Sequence, residues 1–299
     1  MISIVIPAYN EAKTLHHNIC EIINHVKDYE FEIVLVDDGS KDNTWDIITL
    51  LKSEYNNIRG IKFSRNFGKE AALLAGVTEA KGDAVITMDS DLQHPPKYIP
   101  EMINKWQEGY KVIDCIRSKR PKEGLIYKIC AGTFYKTMKK LTGIDMANGG
   151  DFKLMDRKVV NEVVNLKDAG LFFRGMVGFV GFKTYKLKFD VANREGDTTK
   201  FNSKTLTKLA LNAITSFSST PLMIPVKLGA FSLIIGIVIL ILSFFVNNNL
   251  NINTDLLTLA IEMIIATMIL FSLGIIGLYI GKVFEQVKQR PRYIIDEMI

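Results

Sequence analysis

The chain has 299 residues, is 48% hydrophobic and 23% charged, and carries a formal net charge of +5. That composition excludes a wholly disordered chain, and its charge excludes one built mostly of membrane spans. Its mean hydropathy of +0.15 is still high for a water-soluble body, because the charges are unevenly placed: residues 221–281 hold three, Lys227, Asp255 and Glu262.

In chain order, residues 3–6 form a short apolar run ended by Pro7, with none of the layout of a signal peptide. Leu15, Ile19, Ile22, Ile23 and Val26 give residues 11–26 helical spacing. Residues 33–36, 58–63 and 84–88 predict further strands, and residues 45–51 and 70–80 predict the helices between them. Residues 112–116 are again strand-like. This alternation predicts an α/β body with a parallel, doubly wound sheet. Cys20, Cys115 and Cys130 are odd in number and widely spaced, which suggests neither a zinc motif nor a disulfide framework and fits a reducing compartment.

Ligands of open α/β sheets bind at the carboxyl ends of strands. Three such ends are acidic: Pro7-Ala8-Tyr9-Asn10-Glu11, Asp37-Asp38-Gly39-Ser40 and Asp89-Ser90-Asp91-Leu92-Gln93. Asp89 and Asp91, two residues apart on a turn, suit one hard cation, Mg²⁺ or Mn²⁺, bridging protein carboxylates to a substrate diphosphate, with Gln93 as a third oxygen ligand. His94 reads as a neighbour of that cluster. The sequence has neither GxGxxG after the first strand nor GxxxxGK[ST], so dinucleotide oxidoreductases and P-loop NTPases lose their main support.

Residues 117–140 hold eight basic side chains and one acidic one, Glu123. Ile126, Cys130, Phe134, Met138 and Leu141 recur there at helical spacing, so an interfacial amphipathic helix with a basic face is expected, an ordinary solvated helix being the alternative. Arg117, directly after the strand-like residues 112–116, is the favoured phosphate contact, with Arg120 and Lys122 as further candidates. Residues 205–217 read as a second surface-lying helix leading into uncharged runs at 228–246 and 263–281. Each run spans about 28 Å as a helix, close to a bilayer core. Lys204, Lys208 and Lys227 precede the pair, and Lys282, Lys288, Arg290 and Arg292 follow it, while the polar stretch 247–254 between them has no Lys or Arg. The positive-inside rule then places both chain ends in the cytoplasm of a multi-pass plasma-membrane protein. Paired spans disfavour nucleic acid as the partner of the basic segment.

Val5-Ile6-Pro7-Ala8-Tyr9-Asn10-Glu11, Val36-Asp37-Asp38-Gly39-Ser40 and Asp89-Ser90-Asp91-Leu92-Gln93-His94-Pro95-Pro96 resemble family 2 glycosyltransferases of the GT-A fold. With Gly150-Asp151-Phe152-Lys153-Leu154-Met155-Asp156, Phe173-Arg174-Gly175 and the two spans, the chain is similar to polyprenyl-phosphate glycosyltransferases such as bactoprenol glucosyltransferases and dolichol-phosphate mannose synthases. The resemblance implies a GT-A (Rossmann-like) nucleotide-sugar-binding domain at residues 1–203, a juxtamembrane amphipathic helix at 204–227, a transmembrane hairpin at 228–281 and a cytoplasmic tail at 282–299. It implies that Pro7, Ala8, Tyr9, Glu11, Asp38 and Asp89 bind the nucleotide. Asp89, Asp91 and Gln93 would hold Mg²⁺ or Mn²⁺, with Asp91 and Asp151 catalytic. Arg174, and Arg194 and Lys200 in a late motif where Asp197 replaces the usual glycine, would contact diphosphate or lipid phosphate. The absence of Q-x-x-R-W, with Pro291 after Arg290, favours a single transfer.

The activity so implied is inverting transfer of one sugar, from UDP-glucose or UDP-N-acetylglucosamine, to undecaprenyl phosphate on the cytoplasmic leaflet. Membrane lipids, a flippase, a downstream glycosyltransferase and a second copy of the chain, packed through Gly274 and Gly277, are the implied partners. A transferase acting on a non-phosphorylated lipid or glycan, and a catalytically silent lipid-binding scaffold, remain as alternatives.

Overall fold

The computed structural model describes residues 1–118, 149–166, 173–190, 223–245, 254–288 and 290–299. Two compact units emerge, one made of Met1–Leu206 with Pro291–Ile299, the other of Thr207–Arg290.

The first unit is built on a sheet that, among the described residues, has eight strands: β1 (Ile2–Ala8), β2 (Phe31–Asp37), β3 (Ile58–Phe63), β4 (Ala84–Thr87), β5 (Val112–Arg117), β6 (Gly149–Asp156), β7 (Thr184–Phe189) and β8 (Ile295–Met298). Their order is β7-β5-β6-β4-β1-β2-β3-β8. β1 lies parallel to both β2 and β4, and β2 parallel to β3, as expected. The sheet is mixed, however. β6 inserts antiparallel between β4 and β5, and β8 is antiparallel to β3. Apolar runs announce strands, not their direction. In β6 the polar Asp151 and Lys153 alternate with Phe152 and Leu154, which join a different face of the sheet core.

Helices cover both faces. α1 (Leu15–Val26), α2 (Thr44–Glu54) and α4 (Ile99–Gln107) bury one core with Ile4, Ile6, Ile33 and Leu35. The expected stripe on α1 is observed, with Leu15, Ile19, Ile22 and Val26 all buried. α3 (Lys69–Glu79), α5 (Arg157–Asn165) and α6 (Phe173–Phe179) cover the other face, over Val5, Val34 and Val36. β1 and β2 are buried almost end to end because they are covered twice. The chain crosses from β3 over β2 and β1 to reach β4, so the switch point of the sheet lies at the carboxyl ends of β1 and β4.

The second unit holds α7 (Met223–Phe245) and α8 (Thr254–Val287). Within α8, Ile264–Gly281 has 18 residues and a mean hydropathy of 2.3, and its apolar side chains are mostly exposed; among the described residues this is the one helix long and apolar enough to cross a membrane. In α7 the described apolar stretch is the shorter Met223–Ser232. The basic segment 119–148, residues 204–222 of the juxtamembrane helix and residues 246–253 lie outside the described residues.

One turn sets how closely the loops after β2 and β3 approach. Gly39 has φ +65°, and a Cβ there would lie 2.3 Å from the carbonyl carbon of Arg65 and 2.6 Å from Asn66 N. Gly39→Ala therefore meets backbone strain on the order of 1–2 kcal/mol and, in addition, a backbone clash that the two loops must shift to relieve. Thermal unfolding of this variant is expected several degrees below wild type. An unchanged melting temperature would contradict the close approach of these two loops.

Candidate active site

The loops after β1 and β2 are tied together by hydrogen bonds between side chains and backbone. Asn10, at φ 56°, accepts the Lys41 amide at 2.8 Å, while its own amide donates to Ser40 Oγ at 2.9 Å. The Glu11 amide donates to Thr44 Oγ1 at 2.9 Å, and Asp37 Oδ1 accepts the Ser40 amide at 2.9 Å. These ties form one wall of a cleft of about 320 Å³ that Pro7, Ala8, Tyr9, Glu11 and Asp38 line from β1 and β2. Asn66, Gly68 and Lys69 line it from the end of β3, and Asp89, Ser90 and Asp91 from the end of β4. Tyr9 is 41% exposed, leaving its ring accessible beside the cleft.

Asp38 helps to build this wall. Its Oδ1 accepts the Phe67 amide at 2.7 Å, and both its oxygens accept the Gly68 amide, at 3.1 and 2.9 Å. Burial pushes the Asp38 pKa up, with those amides opposing the shift. The carboxylate thus fixes the loop that delivers Lys69.

The Asp89–Asp91 turn is held from behind. Asn18 Nδ2 donates to the Ser90 carbonyl at 2.6 Å. The Asp89 amide donates to His94 Nδ1 at 3.0 Å, so that nitrogen carries no proton. His94 is buried, stacked on Phe152 at 5.1 Å and 10°, and burial pushes its pKa down. It is a neutral support for the turn, in keeping with its reading as a neighbour. Leu92 adopts φ 55°, a conformation that costs a β-carbon-bearing residue on the order of 1–3 kcal/mol and clusters at functional sites. The turn it makes lets the Gln93 amide donate to Asp91 Oδ1 at 3.1 Å. Gln93 Oε1 meets the Arg117 guanidinium at 3.4 Å, which brings two predicted site residues from different strands together.

A chain of charges runs beneath the cleft. Lys69, the first residue of α3, places Nζ 2.6 Å from Asp89 Oδ1 and 2.7 Å from Asp151 Oδ2. Arg174 on α6 grips Asp151 from the other side, with Nε 2.6 Å from Oδ1 and a terminal nitrogen 3.0 Å from Oδ2. Asp151 is 4% exposed. Burial alone would raise its pKa, but Arg174 and then Lys69 outweigh it and hold the carboxyl well below the usual range. Burial likewise works against the Lys69 ammonium, and Asp89 and Asp151 raise its pKa in spite of it. Glu70 accepts the Phe173 amide at the start of α6 at 2.8 Å, and burial pushes its pKa up.

Asp89 Oδ1 tests the fit of a cation to this site. It is buried, and among the described residues its partner is the Lys69 ammonium at 2.6 Å, so the fit rests on the chemistry of the donor set, carboxylate oxygens of Asp89 and Asp91 beside Gln93. Such an oxygen, with Asp91 two residues on, suits a hard divalent ion. No group of three or more His, Cys, Asp or Glu that could close a metal site occurs among the described residues. A cation at Asp89 and Asp91 would therefore complete its shell with oxygens of water or ligand.

The structure gathers Pro7, Ala8, Tyr9, Glu11, Asp38, Asp89 and Asp91 around one cleft, places Asp151 and Arg174 beneath it, and sets Gln93 with Arg117. Arg120, Arg194 and Lys200 lie outside the described residues. Lys69 and Glu70 escaped the sequence reading, which weighted acidic strand ends. The same strand-end rule applied to Ser64-Arg65-Asn66-Phe67-Gly68-Lys69-Glu70 after β3 would have found them.

Residues 3–164 match the family described as glycosyl transferase family 2. The chain is 37% identical over 303 residues to the SfII prophage-derived bactoprenol glucosyl transferase of Shigella flexneri, covering 99% of this chain and 97% of that protein. It is 36% identical over 309 residues to the prophage bactoprenol glucosyl transferase homolog of Escherichia coli (strain K12), covering 99% of each. Among solved structures, glucosyl-3-phosphoglycerate synthase from Mycobacterium tuberculosis, in complex with Mn²⁺, UDP-glucose and phosphoglyceric acid, aligns with a TM-score of 0.52 at 18% identity, over 72% of this chain and 78% of that one. That likeness is one of fold. Family match and full-length relatives together make this chain a member of glycosyl transferase family 2.

Proposed function

We propose that the chain transfers one sugar from a UDP-sugar, UDP-glucose or UDP-N-acetylglucosamine, to a polyprenyl phosphate at the cytoplasmic face of the membrane, inverting the anomeric carbon. The observation that carries this reading is the meeting of Asp89, Asp91, Lys69 and Asp151 at the switch point of the sheet. The acceptor is inferred from the relatives named as bactoprenol glucosyl transferases. A UDP-sugar donor agrees with the Mn²⁺- and UDP-glucose-bound structure that shares the fold.

In this reading Pro7, Ala8, Tyr9, Glu11 and Asp38 hold the nucleotide. Asp89 and Asp91, with Gln93, would hold Mg²⁺ or Mn²⁺, whose charge stabilises a departing diphosphate. Lys69 adds a fixed positive charge beside Asp89. Asp151 stays ionised at neutral pH and has two cations on its oxygens, so its role is to anchor Lys69 and Arg174. Proton removal is not required of it, since a phosphate monoester with a second pKa near 6 is already largely ionised at neutral pH. Arg117, at the end of β5, is the proposed contact for the acceptor phosphate.

Connectivity supports the membrane reading. Met1–Leu206 and Pro291–Ile299 belong to one compact unit, which agrees with an even number of crossings by the intervening Thr207–Arg290. With the Ile264–Gly281 stretch of α8 as one crossing, α7 is the proposed second.

Purified protein with Mn²⁺, labelled UDP-glucose or UDP-N-acetylglucosamine, and undecaprenyl phosphate should form labelled lipid, and undecaprenol lacking the phosphate should not. Equal labelling of both acceptors would overturn the acceptor assignment. Asp91→Asn should lower the transfer rate by at least about 100-fold, the scale of losing one preorganised electrostatic contact. Retention of full activity would remove Asp91 from the site.

Asp151 has a folded-state pKa below its unfolded value of about 3.9, so its stabilising contribution is complete above that value and is lost as pH falls through the folded pKa. Asp151→Asn should therefore melt below wild type by the same margin at pH 7 and pH 5, and the gap should narrow only in stronger acid. A gap that closes between pH 7 and 5 would show that Asp151 is not held ionised.

A further inference from the structure

Residues 293–299 follow α8 in the chain, yet they complete the sheet of the catalytic unit. β8 pairs with β3, setting Ile61 opposite Met298 and Lys62 opposite Glu297, with a register shift before Phe63 meets Ile295. Gly60 and Ile299 exchange both backbone hydrogen bonds, at 3.0 and 2.9 Å. A Cβ at Gly60 would lie 2.7 Å from Ile48 Cγ2 and 2.9 Å from Ile299 Cγ1, so the missing side chain makes a notch for Ile299. Trp45 Nε1 donates to Glu297 Oε2 at 3.0 Å, and Arg292 donates to the Leu166 carbonyl at 2.6 Å.

Two contacts lead from this strand toward the cleft. The Ser64 amide donates to the Ile294 carbonyl at 3.1 Å, fixing the first residue beyond β3. Tyr293 stacks on Phe63 with centroids 5.1 Å apart at 12°, and Phe63 meets Phe67 edge-on at 5.7 Å and 88°. Phe67 is the residue whose amide Asp38 holds, and Lys69, two residues on, reaches Asp89 and Asp151.

We propose that residues 292–299 are a positioning element for the nucleotide cleft, acting through the ring column Tyr293–Phe63–Phe67 to hold the loop that presents Lys69. The tail thereby makes the catalytic site depend on the segment that follows α8 in the chain. The inference rests on the reading of this cleft as a nucleotide site.

The test uses full-length protein in detergent, as wild type, Tyr293→Ala and Tyr293→Phe, with circular dichroism as the control for folding. Hydrogen exchange at residues 64–69 should quicken in Tyr293→Ala while β1 and β2 stay protected, and UDP affinity in the presence of Mn²⁺ should fall about tenfold. Tyr293→Phe, which keeps the ring, should restore both. If Tyr293→Ala is too unstable to purify, Tyr293→Leu poses the same question with the apolar volume retained. Unchanged exchange at residues 64–69, or quickened exchange with unchanged UDP affinity, would overturn the proposal. Should wild type itself bind no UDP, the donor reading fails, and the exchange measurement alone still decides whether the tail holds the loop.

Discussion

The site depends on an ion-pair bridge in which the Lys69 ammonium lies within 2.7 Å of two carboxylates from different strand ends, Asp89 after β4 and Asp151 on β6. A buried carboxylate is costly unless it is paired, and removing one partner of such a pair leaves the other charge stranded. The bridge therefore fixes the positions of three elements at once. α3 must begin where Lys69 can reach both oxygens, β6 must enter beside β4, and α6 must bring Arg174 to the far side of Asp151. Much of the second tier serves this arrangement: Asp38 shapes the loop before Lys69, His94 and Asn18 hold the Asp89 turn, and Glu70 ties α6 to α3.

The sequence made the first half of the sheet plain because its strands are short apolar runs covered on both faces and ended by polar clusters. The carboxyl ends of β1, β2 and β4 could be placed on one edge from that pattern alone. The direction of β6 could not, since it is set by a long connection and by neighbours distant in sequence. Strand β8 was equally hidden. Residues 295–298 are few, with two acidic side chains between Ile295 and Met298, and their strand state comes from the edge of β3 and the notch at Gly60, which are tertiary features.

Within the site, residue type was easier to read than pairing. Asp151 could be identified as a candidate carboxylate, but its ionisation depends on Lys69 and Arg174, which lie 82 and 23 residues away in the chain. Placement changes the chemical role. With two cations on its oxygens, Asp151 is placed to organise charge beneath the cleft, and in the proposed reaction the acceptor phosphate would bring its own negative charge. The same logic moves His94 from the list of polar neighbours to that of structural supports, because a backbone amide occupies its Nδ1.

The central claim is that the cleft at the ends of β1, β2 and β4 holds a nucleoside diphosphate through a cation at Asp89 and Asp91. Calorimetric titration of UDP with and without Mn²⁺ tests it most directly. The account predicts that Mn²⁺ tightens UDP binding by at least about tenfold, roughly 1.4 kcal/mol, and that Asp91→Asn abolishes this coupling. UDP binding of equal strength with and without the metal, or coupling that survives Asp91→Asn, would contradict it.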